Sequence, residues 1–437
     1  MKIAIVMQPW DQLSSTTQNS SISIIAYQLA LRLTPSSDVT IYAMRGSSQS
    51  KVELDASGVR IRRMRSDTER KLLRLVTFAD RKTTFRNPAR SYYGRSWYHP
   101  GYFLQVANDL RKQRYDIVHI INFSQLVPLV RSLNPKVKIV VHMHCEWLTQ
   151  LDQTLIGPRL EETDLIIGCS HYVTDKIRDR FPHLAHKCQT IHNGVATDKF
   201  SCEAVSKTAV DDGVKKLLYV GRLSPEKGLH VLLEAFQVVV QRYPGVQLDI
   251  VGPPGEAQVE FTILVSDDDK TAELTAYYSN KTGWAGGGYF SYLQQQLPAD
   301  IAAKVFFRGN VGHSELVDYY CNADLFVFPS VWHEPFGIPL IEAMACKVPV
   351  VATRSGGMTE IVKDGETGLI VERGDAESLA EALITLIADD TRRKAMGKAG
   401  RQRVLEHFTW DRMAESLLQH YQQLDNDLSR TSRPSVG

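Results

Sequence analysis

The stretch Ala323-Asp324-Leu325-Phe326-Val327-Phe328-Pro329-Ser330-Val331-Trp332-His333-Glu334-Pro335-Phe336-Gly337-Ile338-Pro339-Leu340-Ile341-Glu342-Ala343-Met344-Ala345 reads as strand, turn and helix in succession. Leu325 to Phe328 is a short unbroken apolar run, the pattern of a strand buried on both faces of a parallel sheet. Pro329-Ser330 ends it, Glu334 and Gly337 fall in the turn, and a helix begins at Ile338. The first amide N–H groups of such a helix have no partner of their own and bind anions or sugar hydroxyls. Glu334 and Glu342 are eight residues apart, which on one continuous helix would put them ~80° off a common face. They converge only if Glu334 belongs to the turn. Taken alone, the pair fits a helix-start carboxylate and a solvated helix residue equally well.

The same rhythm continues on both sides. Lys216 to Val220 reads as a strand, followed by a glycine-containing turn and a helix with Leu229, Leu232, Leu233 and Phe236 on one face. Gln247 to Val251, Val305 to Phe307, Pro349 to Ala352 and Gly368 to Val371 supply further strands, with helices over Ala376 to Ala388 and Thr391 to His407. Upstream, strands are expected at Lys2 to Met7, Val39 to Ala43, Ile117 to Ile121, Lys138 to Met143, Leu165 to Gly168 and Gln189 to His192. A helical face of Ile22, Ile25, Leu29 and Leu33 separates the first two. Two such halves predict an α/β chain of two Rossmann-like, doubly wound domains facing a cleft. The domains are assigned to residues 1–205 and 206–409, across a polar linker at Asn193 to Val214, with a helix at about 410–428 packing back on the first. Residues 253–303 are too long for one connection and read as an insertion carrying one helix near Tyr289 to Leu297, after the flexible Trp284 to Gly288. The tail Ser429 to Gly437 reads as disordered.

Composition removes several classes of function. The 437 residues carry 51 Lys and Arg against 49 Asp and Glu, for a net charge of +2, so the chain is no globally basic nucleic-acid binder. An apolar content of 43% rules out wholesale disorder. No apolar run approaches the ~18 residues of a membrane span, and Met1 to Met7 is too short for a signal peptide. The six cysteines, Cys145, Cys169, Cys188, Cys202, Cys321 and Cys346, form no close pairs, which predicts neither a zinc site nor a disulfide framework and points to a soluble protein of a reducing compartment. Met7 to Ser21 contains no glycine, which excludes the dinucleotide fingerprint of a Rossmann oxidoreductase or epimerase.

Glu334-Pro335-Phe336-Gly337 through Glu342 resembles the Glu-x-Phe-Gly-x-x-x-x-Glu signature of the retaining glycosyltransferases of family four, which have the GT-B fold. Gly221-Arg222-Leu223-Ser224-Pro225-Glu226-Lys227-Gly228 is similar to that family's Gly-Arg-Leu-x-x-x-Lys-Gly turn. Phe307 to Val311, Ser355-Gly356-Gly357 before Glu360, Asp364 to Gly368, and Ile191 to Val195 with Asp198 and Phe200 add matches in the family's order. The resemblance implies transfer of a hexose from a nucleotide-diphosphate sugar, UDP-glucose or similar, with no metal and no separate cofactor. It implies that Arg222 and Lys227, with Gly221, stabilise the leaving diphosphate. Cations at a helix start are electrostatically misplaced unless an anion binds there. Glu334, with Pro335 and the backbone of Phe336, Gly337 and Ile338, is expected to hold donor-sugar hydroxyls. Glu342 is expected on the ribose, and Asn310 and Val311 at the base. In the first domain the family places a histidine near the anomeric centre. His144 fits best, and His142 competes because alternate strand positions share a face.

One departure stands out. Where the family has Gly-Gly at the first helix start, this chain has Ser20-Ser21, whose hydroxyls and amides can still bind phosphate or a sugar hydroxyl. Asp267-Asp268-Asp269 superficially fits the Asp-x-Asp of metal-dependent transferases but reads as a solvated loop. No carboxylate is placed as a double-displacement nucleophile, so retention implies front-face displacement with the diphosphate oxygen taking the acceptor proton.

The near-zero total charge hides a local imbalance. Arg60 to Arg95 holds 12 Lys and Arg against Asp67, Glu69 and Asp80, an excess of 9 positive charges that leaves −7 for the rest. Phe78, Phe85, Tyr92, Tyr93, Trp97, Tyr98, Tyr102 and Phe103 accompany or follow it. Such a segment fits a lipid-linked or phosphorylated hydroxyl acceptor, or an anionic membrane surface met from the cytoplasmic side, and a solvated loop and helix face competes. The resulting expectation is cell-surface polysaccharide or glycolipid synthesis without nucleic acid. The alternatives are a soluble glycoside synthase resembling sucrose-phosphate synthase and a catalytically inactive sugar-nucleotide binder.

Overall fold

A computed structural model of the chain describes residues 1–16, 18, 20–65, 87–203, 213–255, 262–279 and 288–431. The chain forms two compact units, Met1–Gly194 with Trp410–Gly437, and Val195–Thr409.

The first unit is built on eight strands: β1 (Lys2–Val6), β2 (Asp38–Met44), β3 (Val52–Leu54), β4 (Arg60–Met64), β5 (Ile117–Ile121), β6 (Lys138–Met143), β7 (Leu165–Gly168) and β8 (Cys188–Thr190). They lie in the order β3-β4-β2-β1-β5-β6-β7-β8, parallel except for β3. Ile3, Ala4 and Ile5 of β1 are fully buried, as a central strand covered on both faces requires. Helix α1 (Ser21–Leu33) begins at a capping box in which Ser20 Oγ accepts from Ser23 N and Ser23 Oγ accepts from Ser20 N. Helix α2 is Pro100–Gln113. The C-terminal helix Trp410–Thr431 packs on α1, where Arg32 Nε meets Asp411 Oδ1 at 2.7 Å. It runs through Thr431, beyond the Ser429 at which a disordered tail was expected, and residues 432–437 lie outside the described residues.

Strand β4 was illegible because Arg60, Arg62 and Arg63 conceal its period. Ile61 and Met64 face the interior, and Arg63 is buried with them, pairing with Glu53 and donating to Leu13 O. Arg60 pairs with Asp38 at 2.8 Å, Arg62 with Asp109 at 2.7 Å and Arg90 with Asp152 at 2.5 Å. Residues 66–86 of the basic segment, with six of its cations and with Phe78 and Phe85, lie outside the described residues.

The second unit has six parallel strands, β9 (Lys215–Val220), β10 (Val246–Val251), β11 (Val305–Gly309), β12 (Leu325–Phe328), β13 (Val350–Thr353) and β14 (Gly368–Val371), in the order β11-β10-β9-β12-β13-β14. Helices α3 (Leu229–Arg242) and α4 (Ile338–Ala345) follow β9 and β12. The 253–303 segment carries four short helices among its described residues, Asp269–Glu273, Thr275–Ser279, Gly288–Gln295 and Ala299–Ala302, where one was expected. Gly288–Gln295 is the helix expected near Tyr289 to Leu297; the other three, of four or five residues, are too short to show a helical period, and tertiary contacts hold the segment, with Tyr278 and Tyr289 buried.

Two expectations are corrected. Cys202 and Cys321, 119 residues apart, form a disulfide, so distant spacing gave no guide to pairing and the inference to a reducing compartment loses its support. Asp268 is no solvated loop residue. Its carboxylate caps Thr271 N at 2.9 Å and takes two bonds from Arg373 at 2.7 and 2.8 Å. Among the described residues no helix is long and apolar enough to cross a membrane.

Candidate active site

In the second unit β9 and β12 are neighbours, with Leu325 opposite Leu217 and Phe326 opposite Leu218. The strand order reverses here, so the loops leaving their carboxyl ends start side by side, at the place where open α/β sheets bind ligands. Gly228, at φ 73°, lets the two loops close on one another. A Cβ there would lie 2.0 Å from Pro329 O.

This approach brings Lys227 to Glu334. Lys227 Nζ lies 2.5 Å from Glu334 Oε1, and Ser330 Oγ and Trp332 Nε1 donate to the same oxygen at 2.9 and 2.8 Å. Glu334 Oε2 takes no partner among the described residues. The Lys227 ammonium also lies 5.3 Å from the Trp332 ring centroid, a cation–π contact. The backbone of Glu334 is clasped in turn by Ser355-Gly356-Gly357. Ser355 Oγ accepts from Glu334 N at 3.1 Å and donates to Trp332 O at 2.7 Å, while Gly357 N donates to Glu334 O at 2.8 Å. Gly356 has φ 48°, and a Cβ there would fall 2.1 Å from Glu334 O. Pro335, Phe336 and Gly337 are buried beneath this loop, and Ile338 opens α4 half-buried.

Arg222 reaches Glu226, with Nη2 2.7 Å from Oε1. Glu226 was only a spacer in the sequence motif, yet its side chain is fully buried and also accepts from Ser224 Oγ at 2.7 Å and Tyr278 Oη at 2.7 Å. Burial pushes its carboxyl up, but the charges of Arg222 and Lys227 outweigh that and hold it below the ordinary value. The insertion thus contributes Tyr278 directly to the site. An acid four residues after Arg222 was the available signal. Arg373 is a second residue the motifs did not mark. It donates to Val331 O at 2.9 Å and fixes the Trp332 loop against Asp268.

Glu342 is 3% exposed, not the solvated residue that competed in the sequence. His313 Nε2 meets its Oε1 at 2.7 Å and Tyr320 Oη donates to its Oε2 at 2.9 Å. Burial opposes charge on His313, but the bond to Glu342 prevails and raises its pKa above the ordinary value. Asn310, exposed, and Val311, half-buried, leave the carboxyl end of β11 just before His313.

In the first unit the structure joins Ser20 and His144 by one chain of hydrogen bonds across the carboxyl ends of β1, β5 and β6. Ser20 Oγ donates to Asp11 Oδ1 at 3.2 Å, and Gln8 Nε2 donates to Asp11 Oδ2 at 2.8 Å. Asn122 Nδ2 donates to Gln8 Oε1 at 3.1 Å, and His144 N donates to Asn122 Oδ1 at 2.7 Å. Asn122 holds φ 63°, the left-handed region that asparagine tolerates. Burial raises the Asp11 carboxyl and lowers His144 to about 3, which makes its imidazole neutral at pH 7. Both His144 ring nitrogens are without a partner among the described residues. His142 is fully buried, with Nδ1 3.2 Å from His119 Nε2 and Nε2 without a partner among the described residues. Ser21 is exposed at the start of α1.

Two doubly wound parallel sheets, with cations, carboxylates and a helix start gathered at strand carboxyl ends, define a GT-B glycosyltransferase. Residues 23–199 match the model described as Glycosyltransferase Family 4, and residues 203–403 the model described as Glycosyl transferases group 1. The chain belongs to the family-four glycosyltransferases. It is 26% identical over 320 residues to lipopolysaccharide 1,2-N-acetylglucosaminetransferase of Salmonella typhimurium, covering 71% of this chain and 74% of that protein. Among solved structures it superposes on sucrose-phosphate synthase from Thermosynechococcus elongatus with a TM-score of 0.71, 22% identity and coverage of 98% and 100% of the two chains. With Anabaena HepE in complex with UDP the TM-score is 0.68, at 17% identity, covering 97% and 100%.

Proposed function

We propose that this glycosyltransferase moves a hexose from a nucleotide-diphosphate sugar, UDP-glucose or similar, to a hydroxyl acceptor in cell-surface polysaccharide or glycolipid synthesis, with retention and without a metal. The observation that carries the donor site is the one-sided clasp on Glu334. Three protein donors converge on Oε1 and leave Oε2 as an acceptor for a ligand hydroxyl. The UDP complex of the HepE structure supports a uridine donor, and the lipopolysaccharide transferase supports a surface glycan or glycolipid product.

In this proposal Arg222 and Lys227, with Gly221 at the turn, meet the diphosphate as negative charge develops on it. Those fixed cations do the work a divalent ion does elsewhere. Glu334 Oε2, Pro335 and the backbone of Phe336, Gly337 and Ile338 orient the hexose. Glu342 takes the ribose hydroxyls, and Asn310 and Val311 border the base. His144, neutral and with free ring nitrogens, meets the sugar near its anomeric carbon, while Ser20 and Ser21 present a helix start to phosphate. A diphosphate oxygen accepts the acceptor proton on the same face. We place the reaction in the cytoplasm, peripheral to the inner face of the membrane, with the basic segment Arg60–Arg95 toward a lipid-linked or phosphorylated acceptor.

The test is thermal stabilisation against a panel of nucleotide sugars, followed by donor hydrolysis in the presence of a metal chelator. A donor at 100 times its dissociation constant adds ~2.7 kcal/mol to stability. Binding with no turnover would make the chain a sugar-nucleotide binder instead, and activity abolished by the chelator would remove the metal-free mechanism.

A further inference from the structure

The first unit holds a cavity of about 560 Å³ that the start of the basic segment, Arg63 to Arg65, helps to line. Arg45, Lys51, Arg65 and Lys112 line it. Arg45 directly follows β2 and Arg65 directly follows β4, two adjacent parallel strands whose last residues, Met44 and Met64, are in register. Arg45 N donates to Met64 O at 2.9 Å, which fixes the two arginine backbones side by side. Lys51 lies just before β3 and Lys112 in the last turn of α2, so four elements supply one cation each.

Among the described residues no carboxylate pairs with Arg45, Lys51, Arg65 or Lys112. Arg45 Nε is turned to Gln49 O instead. The one acid of the lining, Asp109, is already neutralised, since Arg62 Nη2 donates to its Oδ1 at 2.8 Å, Arg62 Nε forms an ion pair with Oδ2 at 2.7 Å, and Tyr42 Oη donates to Oδ2 at 2.7 Å. The fifth cation of the lining, Arg63, is buried and committed to Glu53. Among the described residues the buried charges around the cavity are thus paired, and four further cations line it without a carboxylate partner. Such an arrangement repels itself until an anion enters.

We propose that this cavity, which runs from the carboxyl ends of β2 and β4 along α2 to Lys112, binds a phosphate or diphosphate group. Arginine and lysine together match phosphoryl oxygens, the first as a planar fork and the second as a point charge. The concave shape, within the usual volume range of small-molecule sites, selects a discrete phosphorylated compound over a flat lipid surface. Calling that compound the acceptor rests on the transferase function proposed above; the binding itself does not.

The test is calorimetric titration of the full chain with inorganic pyrophosphate, run with saturating UDP so that the donor site is filled. The wild type is expected to bind one equivalent, and the exposed double substitution Arg65→Gln/Lys112→Gln to bind at least about tenfold more weakly. UDP affinity and melting temperature should be unchanged in that variant, which separates this site from the donor site and from misfolding. Lys51→Gln alone should weaken pyrophosphate by a smaller factor. Equal affinity in wild type and double variant overturns the proposal. So does pyrophosphate failing to bind while vesicles of phosphatidylcholine with phosphatidylglycerol bind wild type and not the variant, which would assign the cavity to a membrane surface.

Discussion

Lys227 and Glu334, 107 residues apart, form an ion pair of 2.5 Å whose side chains are only 16% and 7% exposed. It joins the two sequence motifs that mark the site and ties the loop after β9 to the loop after β12. With so little solvent around them, neither charge is tolerable alone.

Glu334→Ala is therefore expected to abolish transfer and also to destabilise the chain by about 3–5 kcal/mol, because it strands a buried ammonium. Lys227→Met in the same chain should recover part of that stability without recovering activity. A double-mutant cycle on denaturant unfolding, with transfer assayed in parallel, measures both. Retained transfer in Glu334→Ala would remove Glu334 from the donor site.

Asn122 combines a left-handed backbone with two hydrogen bonds in the chain from Ser20 to His144. Asn122→Gly keeps the backbone and loses the bonds, at a cost of about 1–3 kcal/mol. Asn122→Ala adds about 1–2 kcal/mol of strain. The ordering of the two melting temperatures, glycine above alanine, checks that the conformation matters separately from the bonds.

His313 and Glu342 set a pH dependence. Since the folded-state pKa of His313 is raised above 6.5, its contribution to stability is complete below pH 6.5 and fades as pH rises through the folded-state value. Unfolding free energies measured from pH 5.5 to 8.5 should show this decline in wild type, and His313→Asn should flatten it. The same slope in both would assign the effect to another group.

The Cys202–Cys321 disulfide closes a loop of more than a hundred residues within the second unit. Reduction, or Cys202→Ser/Cys321→Ser, should lower stability by about 2–5 kcal/mol. Reductant should then have no further effect on the double variant's melting temperature.

Much of the site was legible in the chain because its motifs are local. Gly221 to Gly228 is the loop between β9 and α3, and Glu334-Pro335-Phe336-Gly337 to Glu342 is a loop after β12 with the first residues of α4, so hydrophobic period and turn chemistry put both at strand ends and the family resemblance marked them. Strand β4 and the short helices Asp269–Glu273, Thr275–Ser279 and Ala299–Ala302 were not legible, whereas Gly288–Gln295 answers to the helix expected near Tyr289 to Leu297. Three arginines in five residues hide the alternation of β4, and helices of four or five residues have no period to show.

The sequence by itself determined two α/β halves, the apolar central strands and the two loops, after β9 and β12, that carry the family's motifs, since these follow from patterns within ten or twenty residues. Only the tertiary structure decided which charges meet. Lys227 with Glu334, the buried Glu226 with Tyr278 of the insertion, Ser20 with His144 through Asp11, Gln8 and Asn122, and Cys202 with Cys321 all depend on how distant segments pack. Parallel strands bring residues a hundred positions apart to one edge of a sheet, and no local pattern records which loops arrive there together.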